Sequence, residues 1–117
     1  MLPRQEMPEY RADLASVHVE FPSLDAADTA RHVEFMDELM QYLDVEADVF
    51  DPADLTFLRS AQVSEQKFWI WEFYDPMGEH CYATVSEGPR GGTSVSYDTS
   101  EGLTPEQFML AEYHACY

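Results

Sequence analysis

The sequence predicts an α+β fold: an antiparallel β-meander of three to five strands packed with a long acidic helix and a C-terminal helix. Three observations carry this. Runs rich in aromatic and β-branched residues at 68–74, 81–86 and 93–97 are separated by "DPMGEH" and "EGPRGG", both dense in glycine and proline as hairpin loops are. Before them lies a stretch with apolar residues at three-to-four spacing. After them comes "TPEQ", a helix-start signature at residues 104–107. With 117 residues, 45% of them apolar and 14% aromatic, the chain reads as one domain, 1–117, able to bury a core.

Taken in order, "SVHVEF" at 16–21 alternates apolar and polar residues and reads as a short strand, stopped by Pro22. "SLDAADTARHVEFMDELMQYL" reads as the main helix, with Ser23 or Asp25 as cap and Asp25 and Asp28 near its positive end. Its apolar stripe is Val33, Met36, Met40 and Leu43, joined by Leu39; Glu34, Asp37, Glu38 and Gln41 fall on the other side. "VFDPADLTFL" holds a helix start, Asp51 as cap and Pro52 at the first position. It reads equally as one or two helical turns or as a turn into a strand from Leu55. The last helix has Thr104 as cap and Gln107 as the reciprocal member of a capping box, with Phe108, Leu110, Ala111 and His114 or Ala115 facing inward.

The strand "KFWIWEFYD" has two apolar faces. Phe68, Ile70, Glu72 and Tyr74 share one, and Lys67, Trp69, Trp71 and Phe73 share the other. With both helices expected on one side of the sheet, the second face either packs under a loop, the N-terminal segment or the 51–58 element, or forms an aromatic patch. In the latter reading Trp69, Trp71 and Phe73 meet a protein partner or a second copy of the chain.

Charge is the strongest constraint. There are 23 acidic residues against 6 basic ones, a formal net of −17. A nucleic-acid binder neutralises phosphates with Lys and Arg, and one lysine with five scattered arginines cannot form that footprint. Residues 25–54 alone carry ten acids and one base. Adaptation to high salt or to solubility would spread acids more evenly, so the clustering favours a functional surface.

The chemistry-bearing residues do not assemble a motif. His80, Cys81, His114 and Cys116 could supply four zinc ligands, but neither pair has the usual Cys-x₂₋₄-Cys or His-x₃₋₅-His spacing, and adjacent strand residues point to opposite faces. Cys81 has no nucleophile signature, and the acidic field disfavours its thiolate. His32 and Glu34 do not match the His-Glu-x-x-His helix, and the acids at 44–54 lack the glycine and glutamate of a calcium loop. "GPRGG" is not a phosphate loop, but it exposes Arg90 at a hairpin tip for one specific contact. No metal, cofactor or catalytic set is therefore expected. No apolar run approaches the roughly 20 residues of a membrane span. The first 17 residues do not read as a secretory signal, and two cysteines suit a reducing cytoplasm.

The expected site is a row of carboxylates. Helix residues three and four apart lie about 5–6 Å apart at Cβ, so Glu34, Asp37, Glu38 and Asp44 line up at a spacing near that of phosphates along a strand. Asp48, Asp51 and Asp54 would continue the row, with Trp69, Trp71 and Arg90 adding specificity. The expectation is a non-enzymatic, cytoplasmic inhibitor that mimics DNA and occupies the basic surface of a nucleic-acid-handling protein. Small proteins of phages and mobile elements that block restriction or CRISPR systems act this way. One alternative is an immunity protein or antitoxin for a basic nuclease toxin, and another a small metal-binding domain using the His and Cys residues. In each reading the partner is not nucleic acid or membrane.

Overall fold

The structure is a computed structural model, and it describes residues 18–46 and 55–116. Two helical segments, α1 (Ala26–Ala30) and α2 (His32–Glu46), precede four strands, and α3 (Pro105–Cys116) closes the described chain. The strands are β1 (Thr56–Val63), β2 (Gln66–Tyr74), β3 (His80–Glu87) and β4 (Thr93–Thr99). They form one antiparallel meander in the order β1-β2-β3-β4. The fold is α+β, as the sequence predicts.

The two long breakers are the two outer hairpin loops. In the first, Asp75 Oδ1 accepts the Met77 and Glu79 amides at 2.9 and 2.8 Å, and Gly78 takes a positive φ of 82° that suits a residue without Cβ. In the second, the Gly88 amide donates to Gly92 and the Gly91 amide to Gly88. β1 and β2 are joined by only Ser64 and Glu65, with Ser64 at a φ of 55°. The open question at 55–58 resolves in favour of a strand from Thr56. Asp51 and Pro52 lie outside the described residues.

The helices are not on one face. α2 packs over Trp69, Trp71, Phe73, Cys81, Ala83 and Val85, through Phe35, Leu39 and Leu43. α3 packs on the opposite face, over Ala61, Val63, Phe68, Ile70 and Tyr82, through Phe108, Met109 and Ala111. The sheet is the middle of three layers, which is why both faces of β2 are apolar. Trp69 and Trp71 are each 0% exposed. The expected aromatic patch is therefore not on the surface, and these two residues are removed from the candidate site.

Three helix details also differ. The main helix bends at Arg31, between α1 and α2. The buried stripe of α2 is Phe35, Leu39 and Leu43, with Met36 and Met40 partly covered, while Val33 is 66% exposed. An i, i+4, i+8 stripe centred on Leu39 turns Val33 about 120° away from its middle. On α3, His114 and Ala115 face out, and Gln107, Met109 and Glu112 face in. The capping box is present: the Gln107 amide donates to Thr104 Oγ1 at 3.2 Å and the Thr104 amide to Gln107 Oε1 at 2.8 Å. Residues 18–21 form no strand. The carbonyls of Phe21 and Pro22 take single bonds from Arg59 and from the Gln62 amide, and these do not make a ladder.

Candidate functional site

The acidic face of α2 is placed by what happens at its N-terminal end. Asp25 caps α1, its Oδ1 accepting the Asp28 amide at 2.7 Å. The chain then bends at Arg31, and four charges gather there. Arg31 reaches Glu87 on β3 with both terminal nitrogens, at 3.0 and 2.5 Å, and Asp28 at 3.4 Å. Lys67 on β2 reaches the other Asp28 oxygen at 2.8 Å. The Trp69 indole donates to the Asp28 carbonyl at 2.9 Å, and the Arg31 guanidinium lies 5.3 Å from the centroids of both Phe35 and Trp69. The hydrogen bond from Lys67 holds the Asp28 carboxyl below its usual value, and the bond from Arg31 does the same to Glu87. Lys67 is raised in turn by Asp28, and Arg31 by Glu87. His32 closes the bend: its ring stacks on Phe57 at 4.0 Å, and Nδ1 is 2.8 Å from the Thr29 carbonyl. A carbonyl only accepts, so Nδ1 carries the proton.

This fastening orients the outer side of α2. Glu34, Asp37, Glu38 and Asp44 are all exposed, with Gln41 among them. They fall within about a third of the helix circumference and span ten residues, about 15 Å at 1.5 Å per residue. None forms an ion pair among the described residues. The last turn of α2 has no base, so Asp44 sits against the negative end of the helix dipole, an unfavourable place for an acid. Asp48, Asp51 and Asp54 lie outside the described residues.

The described bases are mostly engaged elsewhere. Arg31 and Lys67 are held at the bend. Arg59 donates to Glu106 at 2.7 Å, to Phe21 O at 2.9 Å, to Ser23 Oγ at 3.0 Å and to Ser60 O at 3.1 Å. Arg90 is exposed at the tip of the β3–β4 hairpin, as expected, and pairs with none of the described residues.

Among the described residues, no group of three or more His, Cys, Asp and Glu comes together as a metal site. His80 pairs with Glu72 at 2.9 Å and packs its ring edge-to-face on Tyr82, a side chain of the α3-side core. Cys81 is buried in the α2-side core, and burial, helped by Asp75, Asp98 and Glu79, pushes its thiol up to about 11. The Cys116 side chain lies outside what the structure describes. No described helix is long and apolar enough to cross a membrane.

The charged cluster at the bend is the feature that sequence reasoning missed. Its only local signal is the Asp28–Arg31 spacing of three. The partners Lys67 and Glu87 face each other on β2 and β3, and they join Asp28 and Arg31 only once the sheet has formed. Comparison of the chain with protein-family models, with curated proteins and with solved structures finds no match.

Proposed function

We propose that this chain is a small non-enzymatic binding protein whose acidic α2 face occupies a basic, nucleic-acid-handling surface on another protein. The observation that supports this is the separation of the charges. The bases near α2 are consumed by Asp28 and Glu87, so Glu34, Asp37, Glu38 and Asp44 stand on one exposed face without counter-charge among the described residues. Like charges at three-to-four spacing cost a few tenths of a kcal/mol per pair in the free protein. A basic groove removes that cost and is attracted over a Debye length of about 8 Å at physiological salt. Arg90 adds a contact of opposite sign elsewhere on the surface. The buried, unpaired thiol of Cys81 suits a reducing cytoplasm, where an inhibitor of restriction or CRISPR type would act.

The test is affinity capture from nuclease-treated lysate at low and high salt, with the Glu34→Lys/Glu38→Lys chain in parallel. The expected result is retention of basic nucleic-acid-handling proteins at low salt, release by salt or competing DNA, and loss with the charge-reversed chain. Binding that ignores both salt and charge reversal would overturn the reading.

A further inference from the structure

The outer side of α2 is not purely acidic. Val33 is 66% exposed, one of three large apolar side chains that stand in solvent among the described residues. Met36 and Met40 are half-buried, packed by one side against the α2-side core. Val33, Met36 and Met40 follow one another at three-to-four spacing, so they run along a single flank of the helix. The same spacing sets Asp37 beside Val33 and Met40, and Asp44 beside Met40. An apolar edge therefore borders the carboxylates. The line charge of the face is also informative. Glu34, Asp37, Glu38 and Asp44 put four charges on the helix axis, roughly one for every 4 to 5 Å. A single nucleic-acid strand carries one phosphate per about 3.4 Å, and a duplex one charge per about 1.7 Å. The face thus has less than half the line charge of a duplex and lies close to that of one strand.

We propose that the partner surface this flank docks on is a groove built to hold a single nucleic-acid strand, an inference that rests on the reading of the acidic face given above. Grooves of that kind join two features: Lys and Arg that follow the backbone, and aromatic side chains on which unpaired bases stack. α2 has a counterpart for each. Its carboxylates meet the basic track. Val33, with the outer parts of Met36 and Met40, meets the aromatic rings, and a thioether beside a ring edge is a favourable contact. Charge complementarity selects a basic occupant. The apolar edge selects, among basic surfaces, one that carries exposed rings. A duplex-binding surface lacks the second feature, because paired bases hide their faces in the stack and present hydrogen-bonding edges in the grooves. Against such a surface Val33 would face groups arranged for phosphates and base edges.

The test is capture on the immobilised full chain from nuclease-treated lysate at low salt, with bound protein eluted by oligothymidylate or by duplex DNA. Oligothymidylate is expected to release the captured protein at about a tenth of the phosphate concentration that the duplex needs, because one stacked base is worth that much in affinity. Val33→Ser changes an exposed position between residues of similar helix propensity. It should weaken retention about tenfold by removing apolar contact. The steepness of the salt dependence should stay the same, since no charge is lost. Val33→Leu should retain the partner. Salt-released capture that duplex DNA competes as well as oligothymidylate does, or that Val33→Ser leaves intact, would overturn the single-strand inference while the acidic-face reading stands. The absence of any salt-sensitive capture would overturn both.

Discussion

The bend at Arg31 and the outer face of α2 are neighbours in the chain and opposites in electrostatics. At the bend two acids and two bases are interlocked, partly buried, and tied to β2 and β3. One turn later the acids stand in solvent with no described base to answer them. The first arrangement fixes where the helix lies. The second leaves charge available to something outside the molecule. A net charge of −17 is therefore not one property. The acids paired at the bend contribute to folding, and those on the outer face of α2 repel one another.

The largest way to break this contrast is Arg31→Met. It leaves Glu87, whose side chain is only 14% exposed, without its main partner, and Arg31 itself is 31% exposed. Loss of a partly buried pair of this kind costs about 2 kcal/mol, read as a lower urea midpoint. An unchanged midpoint would mean that the cluster does not fasten α2 to the sheet. Next comes pH. Asp28 and Glu87 have folded values below their usual 3.8 and 4.5, so their contribution is present above those values and is lost as pH falls through the folded ones. Lys67 is raised above 10.5, so its contribution is full below that and is lost as pH rises further. Cys81 adds to the alkaline side, since its advantage to the folded state fades between 9.0 and about 11. Stability is expected to be flat between these limbs, and the acid limb is expected to be shallower in the Arg31→Met chain. The smallest effect sharpens the contrast from the other side. Glu38→Gln should raise the urea midpoint by the equivalent of a few tenths of a kcal/mol by relieving repulsion, while weakening capture of a basic partner. A change that stabilises the chain and impairs its binding identifies a carboxylate kept for contact.

Much of the fold is legible locally. The β2–β3 and β3–β4 hairpins are announced by Asp75-Pro76 and Gly88-Pro89, and α3 by Thr104 and Gln107, because those residues act within four positions of themselves. The start of β1 is not legible, because Asp51-Pro52 signals a helix start while the periodicity from Leu55 onward tolerates both a helical and an extended reading. The layer order is not legible for a different reason. Alternation along β2 shows that both faces are covered but not by what, and α2 and α3 carry equally plausible apolar stripes. Hence the sequence leaves Trp69 and Trp71 open between a covered face and a surface patch, and the structure puts both in the core. The exposed row of Glu34, Asp37, Glu38 and Asp44 was legible, since helical spacing alone sorts them from Leu39 and Leu43. The cluster that fastens them was not, since Lys67 and Glu87 reach Asp28 and Arg31 only through tertiary contact.

The burial of both tryptophans gives the chain an internal optical reporter. Neither indole meets solvent; Trp69 donates to the Asp28 carbonyl, and the Trp71 nitrogen has no hydrogen-bond partner among the described residues. Their emission is expected to be blue-shifted in the native state and to redden as the α2 layer lifts from the sheet. A ligand that rests on the outer carboxylates leaves that spectrum unmoved, whereas one that pries α2 away changes it. The colour of the light thus tells a bound chain from an opened one without any added label.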